Sequence, residues 1–293
     1  MTGTTLLLYL SVALIWGSTW IAITFQLGQV NPLISVIYRF ALAAGLLFGW
    51  CWYRGYPLRL SLRQHHVLVL QGSFLFGFNY WLMYLAAQHV TSGLIAVIFS
   101  TIVFFNAFNG RLWLRMPIRP TVLLGGVVGL AGVMLLFSNE LDALTLQDSA
   151  ALGLGLALLS TLLASLGNIA AAHNTASGTS IMVINAWAMA YGTLALVATA
   201  LLLGIPFTMN FSFSYLTALL YLTIPGSIIT FAGYLRLIHL LGADKAAYMS
   251  MLVPVIALLI SSLFEGYQWT LLAVLGLALI LCGNWLALRR KGG

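Results

Sequence analysis

Apolar runs of membrane-spanning length alternate with short polar stretches along the whole chain. The pattern divides into ten segments, 5–26, 32–53, 65–88, 92–113, 120–138, 150–172, 179–204, 213–239, 245–264 and 269–288. A run of about 20 apolar residues crosses a hydrocarbon core of about 30 Å at about 1.5 Å per residue. The pattern predicts an all-α integral membrane protein with ten transmembrane helices. The connections are short, so no extramembrane domain is expected among them.

The last two segments carry the sharpest pattern. Ala246 to Phe264 is uncharged and holds Pro254 at its middle, and a polar hinge, Glu265-Gly266-Tyr267-Gln268, follows it. A mid-helix proline costs roughly 3 kcal/mol in water, whereas in a bilayer neighbouring helices can satisfy the freed carbonyl. Gly276 and Gly283 then fall on one helix face, where a missing side chain lets another helix approach. Gly125 and Gly132 repeat that spacing 151 residues earlier (276 − 125 and 283 − 132). The first copy has Val103 and Leu114 where the second has Pro254 and Glu265.

Two copies of five helices have opposite orientations in the membrane, because five is odd. The chain is therefore expected to divide into a repeat over 1–138, an acidic extracytoplasmic linker over 139–149 and an inverted repeat over 150–293. Many secondary transporters have this architecture, with a site near the midplane between the halves.

Composition excludes a soluble domain: hydrophobic residues make up 62% and charged ones 6%, against roughly 25% charged in globular proteins. The net charge of +7 is spread over short loops rather than gathered in a nucleic-acid-binding patch. With the N-terminus in the cytoplasm, Arg54, Arg59, Arg63, Arg111, Arg115, Arg119, Arg236, Lys245, Arg289, Arg290 and Lys291 are all inside. Outside lie Glu140, Asp142, Asp148 and Glu265. Eleven of the twelve basic residues thus obey the positive-inside rule, and both termini are expected to be cytoplasmic. Cys51 and Cys282 fall in apolar segments and read as small buried hydrophobes. The first apolar run lacks the flanks of a cleaved signal and is expected to stay as a membrane helix.

The twelfth basic residue, Arg39, lies inside a predicted helix. A buried guanidinium needs an acceptor: either it faces a watery cavity and draws a solute carboxylate, or it pairs with helix-end carbonyls and holds the fold. A second group, Tyr38, Asn79, Tyr80, Tyr84, Asn168, Trp187, Tyr234 and Tyr248, places aromatic rings and amides at membrane depth. Together they could line a cavity for an apolar or aromatic solute with polar ends. Taken singly, each aromatic also fits packing or an interface belt. Gly72 and Gly77 in the third segment, Pro225 and Gly226 in the eighth and Pro254 in the ninth are candidate hinges.

No acidic residue lies at a helix centre, so a buried carboxylate that cycles protons against a cation is missing. Transport driven by the solute's own gradient is the simpler expectation. No metal-ligand spacing, nucleophile–base pair or phosphate-binding loop is present. The sequence therefore points away from an enzyme, a cofactor, a metal site and an ATPase within this chain.

The Pro254-Val255, Glu265, Gly276 and Gly283 pattern resembles the closing hairpin of the EamA family in the drug/metabolite transporter (DMT) superfamily. Trp16-Gly17-Ser18 is similar to that family's first-helix motif, and Arg39-Phe40 to a pair in its second helix. Position 186, at the corresponding place in the second half, is an uncharged Ala. The resemblance covers nearly the whole chain and adds Trp16 to the cavity set. Within the family the chain is similar to the YddG-type aromatic amino acid exporters. What this implies is a multi-pass transporter of the bacterial inner membrane, an exporter or facilitator working by alternating access. Its partners would be the lipid bilayer and a small solute, an amino acid or similar zwitterion. The alternatives are a multidrug carrier, which should show a buried carboxylate, another metabolite efflux carrier of the same superfamily, and a non-transporting membrane scaffold. A sugar-phosphate antiporter would need several cavity cations, and Arg39 is the one expected.

Overall fold

The computed structural model describes residues 3–115, 117–136, 149–175, 177–241 and 249–288. Tyr248 and residues 139–148 of the expected linker lie outside them. Every regular element among the described residues is helical.

Helix α1 is Gly3–Thr24 and α2 is Pro32–Tyr53. Helix α3 runs over Leu62–Ala86 and α4 over Ser92–Leu114, followed by α5, Pro120–Leu136. In the rest of the chain α6 is Ser149–Thr175 and α7 is Ile181–Leu202. Helix α8 joins Phe213–Thr223, Ile224–Ile229 and Thr230–Leu241, α9 is Met249–Phe264 and α10 is Leu271–Leu288. Among the described residues seven helices, α1–α4 and α6–α8, are long and apolar enough to cross a membrane; Pro120–Leu136, Met251–Phe264 and Leu271–Ala287 are shorter apolar helices.

Local chemistry starts and stops these helices. Asn31 caps α2 by accepting from the Leu33 amide at 2.9 Å, with Pro32 preset for the first turn. Ser61 and Gln64 form a reciprocal capping box on α3. Helix α2 is closed by Gly55 at φ 68°, a left-handed conformation that a Cβ would strain.

Three helices depart from the α register. Helix α3 widens into a π-helical stretch over Gly72–Phe78, and α8 does the same over Ile224–Ile229. These stretches begin 152 residues apart (224 − 72), matching the glycine offset to within one residue. Helix α4 breaks at Ser100–Thr101, where both hydroxyls donate to carbonyls three residues back at 2.6 Å. Discontinuities at membrane depth persist where side chains or neighbouring helices satisfy the backbone.

The packing pairs helices of the same rank along the chain: α5 lies along α10, α2 along α7, and α4 against α9. Helix α1 lies against α8 and α9, as α6 does against α3 and α4. Small residues permit the closest crossings. A Cβ on Gly283 would fall 2.5 Å from the Gly125 carbonyl oxygen, and one on Gly276 2.7 Å from that of Gly132. Gly192 of α7 would likewise strike the Gly72 oxygen at 2.5 Å. Gly72 is thus a helix-contact residue as well as part of the π stretch.

Candidate functional site

A cavity of about 840 Å³ opens among α1, α3, α4, α6, α8 and α9, with one residue, Arg39, contributed by α2. It runs from Arg39 to the turn before α5, where Pro117 and Arg119 are exposed. The opposite end of α4 is tied down. There Ser92 donates to the Glu265 carboxylate, from its amide at 3.1 Å to each oxygen and from its hydroxyl at 2.5 Å.

Arg39 is 1% exposed, yet no carboxylate meets it among the described residues. Its Nε and Nη2 both donate to Ser227 Oγ, at 3.3 and 3.2 Å. Its guanidinium carbon lies 4.6 Å from the centre of the Tyr80 ring and 5.2 Å from that of Phe40. Ring faces attract a cation but offer no lone pair. Among the described residues Nη1 has no hydrogen-bond partner, and the Tyr84 side chain also interacts with the guanidinium. A buried charge left partly unpaired is costly, and an anion entering the cavity would relieve it.

The cavity walls are aromatic with a few amides. Trp16 meets Phe231 edge-on at 5.6 Å and Tyr234 at 5.2 Å, making one apolar wall. Asn79 faces the cavity, but its amide is already used: Nδ2 donates to Leu75 O at 3.0 Å and Oδ1 accepts from Ser160 at 2.6 Å. Asn168 Nδ2 lies 3.4 Å from Asn106 Oδ1, a long bond that joins α6 to α4 on the lining. Pro254 lines the cavity from within α9.

The structure thus brings Trp16, Arg39, Asn79, Tyr80, Asn168, Tyr234 and Pro254 to one cavity. It places three other expected residues elsewhere. The Tyr38 hydroxyl donates to Thr208 O at 3.1 Å, in the turn before α8. Tyr84 is fully buried off the cavity lining, where its side chain interacts with Arg39 and its hydroxyl donates to Gln26 Oε1 at 2.8 Å, tying α3 to the turn after α1. Trp187 donates to Leu58 O at 3.1 Å and packs on His65, Tyr191 and Phe48 at the α2–α3–α7 corner. Of the expected hinges, Gly72 and Gly77 fall in the first π stretch, and Pro225 and Gly226 in the second.

The sequence pattern does not single out Ser227 or Arg119 as site residues. Ser227 holds the guanidinium; the nearby Pro225-Gly226 was the one sequence signal for its helix turn. Arg119 lines the mouth and donates to Ala287 O at 3.0 Å. This corrects the expectation that Arg39 is the one cation at the cavity. Arg119 had been read as a loop charge, and the packing of α5 on α10 brings it to the lining.

A model of the EamA-like transporter family matches residues 3–138 and again 151–289. The chain is 26% identical over 276 residues to the uncharacterized transporter YoaV of Bacillus subtilis (strain 168), covering 94% of this chain and 93% of that one. It is 27% identical over 279 residues to the uncharacterized inner membrane transporter YedA of Escherichia coli (strain K12), covering 92% and 87%. Protein PagO of Salmonella typhimurium is 25% identical over 285 residues, covering 96% and 92%. A solved crystal structure at 15% identity superposes over 98% of this chain and 97% of its own with a TM-score of 0.68, which shows a shared fold.

Proposed function

This chain belongs to the EamA-like transporter family, and from that premise we propose that it carries amino acids, aromatic ones among them, across the bacterial inner membrane by alternating access. The observation that carries the reading is Arg39, a buried guanidinium on the cavity lining that meets no carboxylate among the described residues. A solute carboxylate supplies the missing acceptor, as charge-assisted bonds to guanidinium do elsewhere. Trp16, Phe231 and Tyr234 offer ring faces to an apolar or aromatic side chain. An inner-membrane relative accords with the membrane assignment.

The same proposal takes the chain as two inverted five-helix repeats, 1–138 and 150–293, joined by 139–149, with both termini cytoplasmic. Its support is the shared offset of the glycine pairs and the π stretches. Contacts between loops of like side agree with it: Gln29 pairs with Ser212, and Gln64 with Thr179. In this orientation the cavity mouth at Arg119 faces the cytoplasm, and export is the direction proposed. Gly72, Gly77, Pro225, Gly226 and Pro254 are the proposed bending points.

Counterflow in proteoliposomes with a panel of labelled amino acids tests the reading. Exchange of phenylalanine, tyrosine or tryptophan above empty liposomes is the expected result. Exchange of organic cations with no exchange of any amino acid would overturn it in favour of a multidrug carrier.

A further inference from the structure

We propose that the Asn106–Asn168 pair is the subsite for the amino group of the solute, with Asn168 Oδ1 as the acceptor. The proposal rests on the reading of the chain as an amino acid carrier and says where the ammonium goes. The cavity lining carries two guanidinium groups, Arg39 and Arg119, and no carboxylate among the described residues. An ammonium is repelled by both and finds no ion partner for its own charge. It must bond to neutral oxygens, because a charge taken out of water without acceptors is costly.

Three amides line the cavity, and two of their oxygens are engaged. Asn79 Oδ1 accepts from Ser160 at 2.6 Å, and Asn106 Oδ1 accepts from Asn168 Nδ2 at 3.4 Å. Asn168 Oδ1 has no donor among the described residues. Asn106 and Asn168 are both half-buried rather than sealed in the core, so a solute in the cavity can reach them.

The pair is not needed to hold its helices together. One turn away Asn109 donates to Ser165 at 2.9 Å, a shorter and buried tie between α4 and α6. The offset of 151 residues takes Asn168 to Gly17 and Asn106 to Ala257. There α1 and α9 close directly, and a Cβ on Gly17 would fall 2.5 Å from the Ile256 side chain. The fold thus makes the equivalent crossing without amides. The amides stand on α4 and α6, whereas Trp16, Phe231 and Tyr234 stand on α1 and α8, so the polar head and the ring of one solute have separate walls.

The test uses the purified full chain in nanodiscs, titrated with phenylalanine, with 3-phenylpropanoate, which lacks the amino group, and with phenethylamine, which lacks the carboxylate. Asn168→Leu removes the acceptor at similar size. It should weaken phenylalanine about 10-fold or more, the usual effect of losing a hydrogen bond to a charged group, and leave 3-phenylpropanoate within about twofold. Asn106→Leu leaves the Asn168 carbonyl in place and should cost phenylalanine less than Asn168→Leu does. Asn168→Asp supplies a charged acceptor and should tighten phenethylamine about 10-fold, a gain that a packing role would not produce. Should either Asn168 variant fail to fold, the other decides. Equal losses of phenylalanine and 3-phenylpropanoate in Asn168→Leu, a larger phenylalanine loss in Asn106→Leu, or no gain of phenethylamine in Asn168→Asp overturns the proposal, while phenylalanine binding to wild type keeps the carrier reading. Wild type that does not bind phenylalanine overturns that reading, and this proposal with it.

Discussion

Gly125 and Gly283 meet backbone to backbone, so that the Cβ missing from Gly283 would lie 2.5 Å from the Gly125 carbonyl oxygen. The same offset of 151 residues that carries Gly125 to Gly276 carries Gly132 to Gly283, and Gly132 and Gly276 make the matching contact. The α5–α10 seam is thus symmetric about its own middle. Without a hydrophobic drive between helices in lipid, close van der Waals contact is what holds such a seam.

Gly283→Ala should therefore destabilise the fold by about 1–3 kcal/mol, the usual cost of forcing atoms into a packed site. Gly155→Ala, where a new Cβ meets nothing within 4 Å, is the control and should be neutral. Thermal unfolding of the purified proteins compares them. Equal stability of the two variants would mean that the seam yields without cost.

Arg39→Gln removes the cavity's buried charge while keeping polar atoms near Ser227. Binding of carboxylate-bearing solutes should fall by about 10-fold or more, in line with charge-assisted bonds, and their amides should fall much less. Equal losses for acid and amide would return Arg39 to a structural role.

The aromatic residues divide by location. Trp16→Ala and Tyr234→Ala strip the cavity wall and should weaken binding of aromatic solutes. Trp187→Ala removes packing at the α2–α3–α7 corner, where it touches His65 and Tyr191. It should lower stability by about 3–5 kcal/mol if the site cannot collapse, while solute affinity in the folded fraction stays within about twofold. A binding loss in Trp187→Ala as large as in Trp16→Ala would contradict the placement of the site.

Glu265 holds the start of α4 through Ser92 at the end away from Arg119. Its loss should let that end open. In a background without Cys51 and Cys282, a cysteine at Ser100 on the cavity wall should react faster with an impermeant thiol reagent from the outer face in Glu265→Ala than with Glu265 present. Unchanged labelling would show that packing alone keeps the end shut.

Orientation has its own assay. Gln29 and Arg59 are both exposed, in the turns on either side of α2. On whole cells a cysteine at Gln29 should be labelled by the impermeant reagent, and one at Arg59 should not. The reverse pattern would invert the topology drawn from the charges.

Hydropathy alone marked the chain as an all-helical membrane protein, because a bilayer demands long apolar runs whatever their neighbours are, and seven helices among the described residues have that length. Helical periodicity also determined that Gly276 and Gly283 share a face, since positions seven apart lie two turns apart along one stripe. The sequence also marked Arg39 as out of place in hydrocarbon, and Gly72, Gly77, Pro225 and Gly226 as candidate hinges. What periodicity does not contain is the neighbour that each face meets. Tyr80 and Tyr84 lie one turn apart on α3 and both meet Arg39, yet Tyr80 lines the cavity and Tyr84 is buried behind it against Gln26. Trp187 looked like its cavity-lining counterparts and is held at a corner by Leu58. Arg119 read as a loop charge until α10 supplied the carbonyl beside the mouth. Ser227 is one small hydroxyl among many in an apolar chain, and its partner is 188 residues away. Tertiary packing made it part of the site, because a buried charge takes its acceptor from whichever helix is pressed against it, and sequence distance sets no limit on that choice.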